Sequence, residues 1–216
     1  MRNALKYEKQ LTGIVCGMDE VGRAPLAGPV TAACVHIPEQ HRGKRFWSKV
    51  TDSKKLTLEE REALYDPIRE HSCFGVAHAT KDEIDTINIH HASLLAMRRA
   101  CSEMIRAFSI CPDHALVDGK FTPKELPCPA TAIVGGDGKS LSIAAASIIA
   151  KVERDRLMKE LHEEHPQYGW ITNVGYPTKE HLQAIKIHGL TVHHRLTFSR
   201  IQGELNFSQA KPIEGD

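Results

Sequence analysis

The sequence predicts an α/β fold: a mixed five-stranded sheet flanked by helices, with a helical C-terminal region. Three observations carry that expectation. Two short apolar, partly β-branched runs stand in tandem near the N-terminus, separated by a turn rich in Gly and Pro. Further on, strand-like runs alternate with stretches whose apolar residues recur at helical spacing. Past residue 140 only helical periodicity remains.

Leu11 to Met18 is the first predicted strand and Val30 to Ile37 the second, with Gly22, Pro25, Gly28 and Pro29 between them. Thr57-Leu-Glu-Glu60 is a capping box, in which a hydroxyl and a carboxylate satisfy the free N–H groups of a first helical turn; the helix runs to about His71. Cys73 to His78 is the third strand. Thr80-Lys-Asp-Glu83 is a second capping box, and Leu94, Leu95, Cys101, Met104, Ile105 and Phe108 behind it fit one buried helical face. Ala115 to Val117 and Ala130 to Val134 are short strands that end at Asp118 and at the Gly135–Gly136 turn. Ser140 to about Glu164 forms one long helix, in which Ala144, Ala145, Ala146 and the packing residue Ser147 permit close approach. Thr178 to His188 is a shorter helix closed by Gly189. Residues 1–198 are expected to form one domain, and 199–216, which lack periodicity, a flexible tail.

Composition narrows the function classes. The 216 residues are 41% hydrophobic and 25% charged, an ordinary globular balance. With 28 basic and 27 acidic residues the net charge is +1, which excludes a highly basic arm or a polyacidic tail but leaves room for a local basic face. The longest apolar run, Leu141 to Ala150, is ten residues with two serines, short of the ~18 a membrane span requires. No signal-peptide core precedes Asp19, so a soluble, cytoplasmic monomer without membrane contact is expected. The six cysteines contain no C-x-x-C pair and are expected to be reduced, small hydrophobes. The thirteen histidines are an excess. His162-Glu-Glu-His165 invites comparison with zinc proteases, but that motif needs histidines four apart on a helix and Pro166 follows; solvated histidines near a helix end are the expectation.

The acidic residues hold the chemistry. Asp19 with Glu20, then Asp118, then Asp137 finish or closely follow three predicted strands, where α/β sheets gather their ligands. Each adjoins a glycine that lets backbone turn sharply and ligand approach closely. Clustered carboxylates repel one another, and their partner by chemistry is a hard dication on oxygen ligands, Mg2+ or Mn2+ rather than zinc. Arg23, Lys120 and Lys139 stand beside these acids, and metal plus nearby cations is what phosphoryl transfer requires. Gly138-Lys139-Ser140 is not a P-loop, because Ile133 occupies the position of that motif's first glycine.

Gly17-Met-Asp19-Glu20-Val-Gly22-Arg23-Ala24-Pro-Leu-Ala-Gly28 resembles the opening signature of the type II ribonucleases H (RNase HII). So do Thr51-Asp-Ser53-Lys54-Lys55-Leu56, Val117-Asp118-Gly119, Gly136-Asp137-Gly-Lys139-Ser140 with Ala146-Ser147 and Lys151-Val-Glu-Arg154 behind it, Gly175-Tyr176-Pro177, and His194-Arg195. The ordered set covers roughly residues 14 to 198. The resemblance implies an RNase H-like fold that cleaves the RNA strand of RNA–DNA hybrids and nicks duplex DNA 5′ of a single embedded ribonucleotide, with roles in ribonucleotide excision repair and DNA replication. It makes Asp19, Glu20, Asp118 and Asp137 the catalytic and metal-binding acids, Asp19 the central one. One ion would help form the attacking hydroxide and the other stabilise the departing 3′ oxygen, leaving a 5′-phosphate. Since neighbouring strand residues face opposite ways, Asp19 and Glu20 can share metal only if the chain bends, and Gly22 is the expected bend.

By the same resemblance Gly22, Arg23, Ala24 and Tyr176 would read the 2′-hydroxyl and its sugar. Ala24 stands where the commoner pattern has glycine; if that position needs a positive φ, the extra Cβ costs about 1 kcal/mol and loosens selection. Ser53, Lys54, Lys55, Lys139 and Lys151 are candidate phosphate contacts. His193 to Phe198 drifts from the family's closing motif and is given no role. In the tail, Gln202, Leu205 and Phe207 are spaced like peptides that dock into sliding clamps. Two alternatives stand beside this: a catalytically weak hybrid-binding module of the same fold, which should have shed an acid, and a type III ribonuclease H, whose additional N-terminal domain exceeds the eighteen residues before Asp19.

Overall fold

The computed structural model describes residues 5–199 and 201. Its single sheet holds β1 (Val15–Val21), β2 (Val30–His36), β3 (Cys73–Ala79), β4 (His114–Asp118) and β5 (Ala130–Ile133) in the order β3-β2-β1-β4-β5. The tandem strands β1 and β2 pair antiparallel, as does β3 on β2, whereas β4 and β5 run parallel to β1. The helices are α1 (Leu58–Glu70), α2 (Lys81–Phe108), α3 (Leu141–Glu164), α4 (Trp170–Asn173) and α5 (Lys179–His188). Both predicted capping boxes form, Thr57 with Glu60 and Thr80 with Glu83.

Two elements differ from expectation, one for a long-range reason and one for a local one. Gly13 has φ +80° and Ile14 N–H donates to the Asp113 carboxylate, so the chain enters the sheet only at Val15. The strand then continues through Asp19 and Glu20 and stops at Gly22, φ +92°. The acids thus lie inside the end of β1 rather than beyond it. Helix α2 is interrupted at Asn88 (φ 63°, ψ 164°), whose side-chain oxygen accepts from the N–H groups of His90 and His91 and caps a fresh helical start.

Each sheet face carries its own core. Cys16, Met18, Ala32, Cys34, Ala115 and Val117 pack against α2, and Ala33 and Val35 pack against α1 and α3. The small residues of α3 allow it to lie on the middle strand: a Cβ on Gly17 would stand 2.3 Å from Ile143 N. Ser147 is buried there, donating to Ala144 O and accepting from Ser53 N–H. Buried Glu8 completes the start of α3, its Oε1 accepting from Ser140 Oγ, Ser142 N–H and Ser142 Oγ.

A further core joins the turn after β1 to the C-terminal helices through Leu26, Ala27, Met158, Trp170, Ile185 and Ile201. Ile201 is fully buried, so the packed body reaches past the boundary expected at 198. Gln202, Leu205 and Phe207 lie outside the described residues. The six cysteines are free thiols, with Cys16, Cys34 and Cys101 buried. Among the described residues no helix is long and apolar enough to cross a membrane. The histidines near the end of α3 are not simply solvated, as the sequence suggested. The His165 ring packs with Tyr168, Trp170 and His193, and His162 Nδ1 is buried without a partner. Proline at 166 ends the helix and turns the chain back over these rings.

Candidate active site

Strand pairing brings the acids together. Met18 pairs with Val117 across the parallel β1–β4 ladder, so Asp19 and Asp118 stand one step further on, on strands about 5 Å apart. Alternation points both towards the α3 face, with Gly17 and Leu116, and points Glu20 towards the α2 face, with Met18. Asp118 Oδ1 accepts from Gly136 N–H (2.6 Å), which ties the end of β4 to the turn Gly136–Gly138 that carries Asp137. Glu20 N–H donates to Asp19 Oδ1 (2.7 Å). The chain turns at Gly22, as expected, directly after β1, and Asp19 and Glu20 meet at the strand end from opposite faces.

The electrostatics are those of a site short of positive charge. Asp19 is only 5% exposed, and burial, followed by the charges of Glu20, Asp118 and Asp137, holds its carboxyl well above the ordinary range. Burial also raises Glu20, against the pull of Arg23, whose Nη1 is 3.3 Å from Glu20 Oε1. Burial, then Asp52 and Asp118, raise Asp137, against Lys54 at 3.9 Å. Burial of the lysine stem opposes it, yet Asp19, Asp137, Asp52 and Asp118 together lift the Lys54 ammonium above its usual value. A divalent cation bound there would supply the missing charge. The set fits one: its donor atoms are all carboxylate oxygens, and burial together with the neighbouring acids raises Asp19. An all-oxygen set suits a hard ion that keeps water or phosphate oxygens in its shell.

The other candidates divide. Lys54 and Lys55 are exposed beside the acids, Lys55 pairing with Asp52 at 4.0 Å. Lys139 Nζ donates to Val134 O at 2.5 Å but lines an open cleft of about 540 Å³ that also takes in Asp137 and Lys6. Ser53 is buried, and its carbonyl accepts from Arg61. Lys151 is partly buried on α3 and salt-bridged to Asp155 at 2.6 Å, one turn away. On the α2 side a cleft of about 210 Å³ is lined by Glu20, Asp118, Arg23, His90, Lys120 and Phe121, with the His90 and Phe121 rings meeting edge to face.

Gly22, Arg23 and Ala24 form the turn that leaves β1. Ala24 is exposed and its φ is not positive, so the strain expected from its Cβ does not arise. The glycine-demanding positions are Gly22 and Gly28, at φ +92° and +80°. Replacing Ala24 with glycine is therefore expected to leave the preference for ribonucleotide over all-DNA duplex within about twofold of the parent. It should lower stability by about 0.4–1 kcal/mol through unfolded-chain entropy, which parallel nicking and melting measurements would detect. Tyr176 stands on the rim, 41% exposed, with its carbonyl held by His181 Nδ1.

Two residues the sequence reading passed over brace this turn. Arg195, from the segment given no role, is fully buried and donates to Gly28 O, Arg23 O and Gly22 O. Arg154 donates to Pro29 O, Val174 O and Ala27 O from the other side. The sequence signal for Arg195 was its place in the His194-Arg195 pair alone; its burial has no sequence signature.

A family model for Ribonuclease HII matches residues 16–201. The Ribonuclease HII of Paramagnetospirillum magneticum is 49% identical over 197 residues, covering 91% of this chain and 96% of that protein. The chain belongs to the Ribonuclease HII family. All four acids fall within the span matched to the family. Among solved structures, the ribonuclease H2 from Pyrococcus horikoshii superposes with a TM-score of 0.76 at 25% identity, over 92% of this chain and all of that one. The ribonuclease HII in the PCNA:RNase HII complex from Archaeoglobus fulgidus gives 0.67 at 26% identity, over 86% and 95%. The chain is accordingly an RNase H-type nuclease of a family that depends on divalent metal.

Proposed function

We propose that the chain cleaves the RNA strand of RNA–DNA hybrids and nicks duplex DNA on the 5′ side of a single embedded ribonucleotide, leaving 5′-phosphate ends. The observation that carries this is the convergence of Asp19, Glu20, Asp118 and Asp137 at the carboxyl ends of β1 and β4, within the span matched to Ribonuclease HII. These four residues would hold Mg2+ or Mn2+. Such an ion, when bound, acidifies a water for attack on the phosphodiester and offsets charge on the departing 3′ oxygen.

The chain's own groups do the rest. Asp19 and Asp118 present carboxylates side by side on neighbouring strands, so the scissile phosphate is held at the carboxyl ends of the inner strands β1 and β4. Arg23, Lys54, Lys55 and Lys139 offer charge near those strand ends to backbone phosphates, making affinity fall with salt. The turn at Gly22–Ala24, fixed by Arg195, offers backbone groups to the 2′-hydroxyl, the one group that marks a ribonucleotide in DNA. Tyr176 offers a ring face to the adjoining sugar. The hybrid-binding alternative has no observation in its favour, since none of the four acids is missing.

A duplex with one ribonucleotide, incubated with the untagged chain and Mg2+, should yield a single nick immediately 5′ of the ribonucleotide, with a 5′-phosphate on the downstream fragment. EDTA should abolish it. No nick, or equal cutting of an all-DNA duplex, overturns the assignment.

A sliding clamp is proposed as a partner of this chain as well, supported by the solved relative in complex with PCNA, with Gln202, Leu205 and Phe207 as the docking residues on the spacing of the sequence alone. Because Ile201 is buried in the core, the informative truncation ends at Ile201. It should lose clamp pull-down while keeping nicking on short duplexes, and retained pull-down would refute the docking role.

A further inference from the structure

The thirteen histidines are not spread evenly. His165, His181, His188, His193 and His194 gather around Tyr168 and Trp170 where α3 ends. Within this cluster the histidines fall into two kinds. His181 and His194 are fully engaged: His181 Nδ1 meets Tyr176 O, His181 Nε2 accepts from Trp170 Nε1, and His194 Nδ1 bonds Thr191. His165 and His193 have no hydrogen bond at either ring nitrogen to any described residue. Their contacts are with rings, and His193 Nε2 lies 3.9 Å from the exposed carboxylate of Glu164. One donor atom from each of Glu164, His165 and His193 lies within 4.8 Å of the other two.

Two unpartnered imidazoles and a carboxylate, converging from different segments, are a metal-ligand set of another kind from the all-oxygen quartet. We propose that Glu164, His165 and His193 bind a borderline transition-metal dication such as Zn2+, with water in the fourth position. Imidazole nitrogen with one carboxylate favours Zn2+, Co2+ or Ni2+ over Mg2+. Glu164 and His165 sit at the C-terminal end of α3, where the helix dipole adds negative potential. The zinc-protease spacing considered for His162 and His165 does not form; His165 finds its second imidazole 28 positions on, at His193.

The site joins two elements. The backbone carbonyl of His193 accepts from Gly28 N–H (3.0 Å), and Arg195, two residues on, holds Gly22, Arg23 and Gly28. An ion there staples the end of α3 to the segment that braces the turn after β1. This binding does not depend on the nuclease assignment.

The test is a Zn2+ titration of the untagged full-length chain, freed of metal beforehand, by calorimetry and against a chromophoric chelator. One Zn2+ should bind, and binding should survive Asp19→Asn, which disables the acidic quartet. His193→Ala should weaken it by more than the roughly 10–100-fold that loss of an outer-shell partner costs. Glu164→Ala, at an exposed helix end, should weaken it as well without disturbing the fold, and decides the matter if the His193 variant does not fold. Co2+ in place of Zn2+ should show visible absorption bands that Glu164→Ala alters. Zn2+ at about 100 times its Kd should raise the melting temperature of the parent by roughly 5–10 °C, and that of Glu164→Ala by less. No Zn2+ binding to the parent, or binding unchanged in the Glu164 variant, overturns the proposal.

Discussion

Asp19→Asn is expected to abolish nicking while leaving the chain at least as heat-stable as the parent in metal-free buffer at neutral pH. Two opposed effects of one carboxylate meet there. The oxygen is the central candidate ligand, and removing a preorganised charge from a dry site lowers the rate by roughly 10²–10³-fold or more. In the metal-free fold the same carboxylate is a burden. Burial and the neighbouring acids raise its folded pKa above the unfolded value, so its contribution to stability is fully present below the ordinary carboxyl range. That contribution is lost as pH rises through the raised value, so above the ordinary carboxyl range the buried group opposes folding. Asparagine removes the charge and keeps an oxygen to accept from Glu20 N–H. Added Mg2+ should therefore raise the melting temperature of the parent and raise that of the variant less. A variant that nicks within tenfold of the parent, or that melts well below it without metal, would remove Asp19 from the centre of the site.

That the four acids were legible in the sequence, and several supporting residues were not, has a physical cause. Asp19, Glu20, Asp118 and Asp137 announce themselves because each interrupts or ends an apolar run beside a glycine, and parallel pairing does the rest. The helix starts were legible because capping boxes are local: Thr57 and Glu60 satisfy each other within four residues. The exact start of β1 was not, since it is fixed by Asp113, which bonds Ile14 from 99 residues away. Glu8 likewise reaches Ser140 and Ser142 across more than 130 residues. The pairing of Lys151 with Asp155 was legible in sequence, for the two stand four residues apart along one helix. The Ala24 substitution looked costly only while its backbone conformation was unknown. Arg154 and Arg195 were the least legible, because nothing local distinguishes a buried arginine from a solvated one.

Arg195 is also where the largest stability effect is expected. Its guanidinium is fully buried, with Nε donating to Gly28 O at 2.9 Å, Nη1 to Arg23 O at 3.0 Å and Nη2 to Gly22 O at 2.6 Å. Burial, and then the like charge of Arg154, pull it down to about 9, so it stays charged at neutral pH. Three carbonyls that diverge around one turn need donors in a fixed planar fork, which no other side chain supplies. Arg195→Met fills much of the volume but leaves these carbonyls without partners in a dry site. Each orphan costs about 1–3 kcal/mol, and a loss of about 3–5 kcal/mol in total is expected, read as a fall of roughly 6–20 °C in melting temperature. Arg195→Lys keeps the charge and one direction of donation, so it should fall between parent and methionine variant in stability. Since the acids are untouched, both variants should retain the Mg2+-induced rise in melting temperature. Nicking measured well below their melting points should drop most on the duplex with a single ribonucleotide, where the braced turn has one 2′-hydroxyl to find, and less on a continuous hybrid. A lysine variant that melts within about 2 °C of the parent and nicks both substrates equally well would show that the turn holds its shape without the fork.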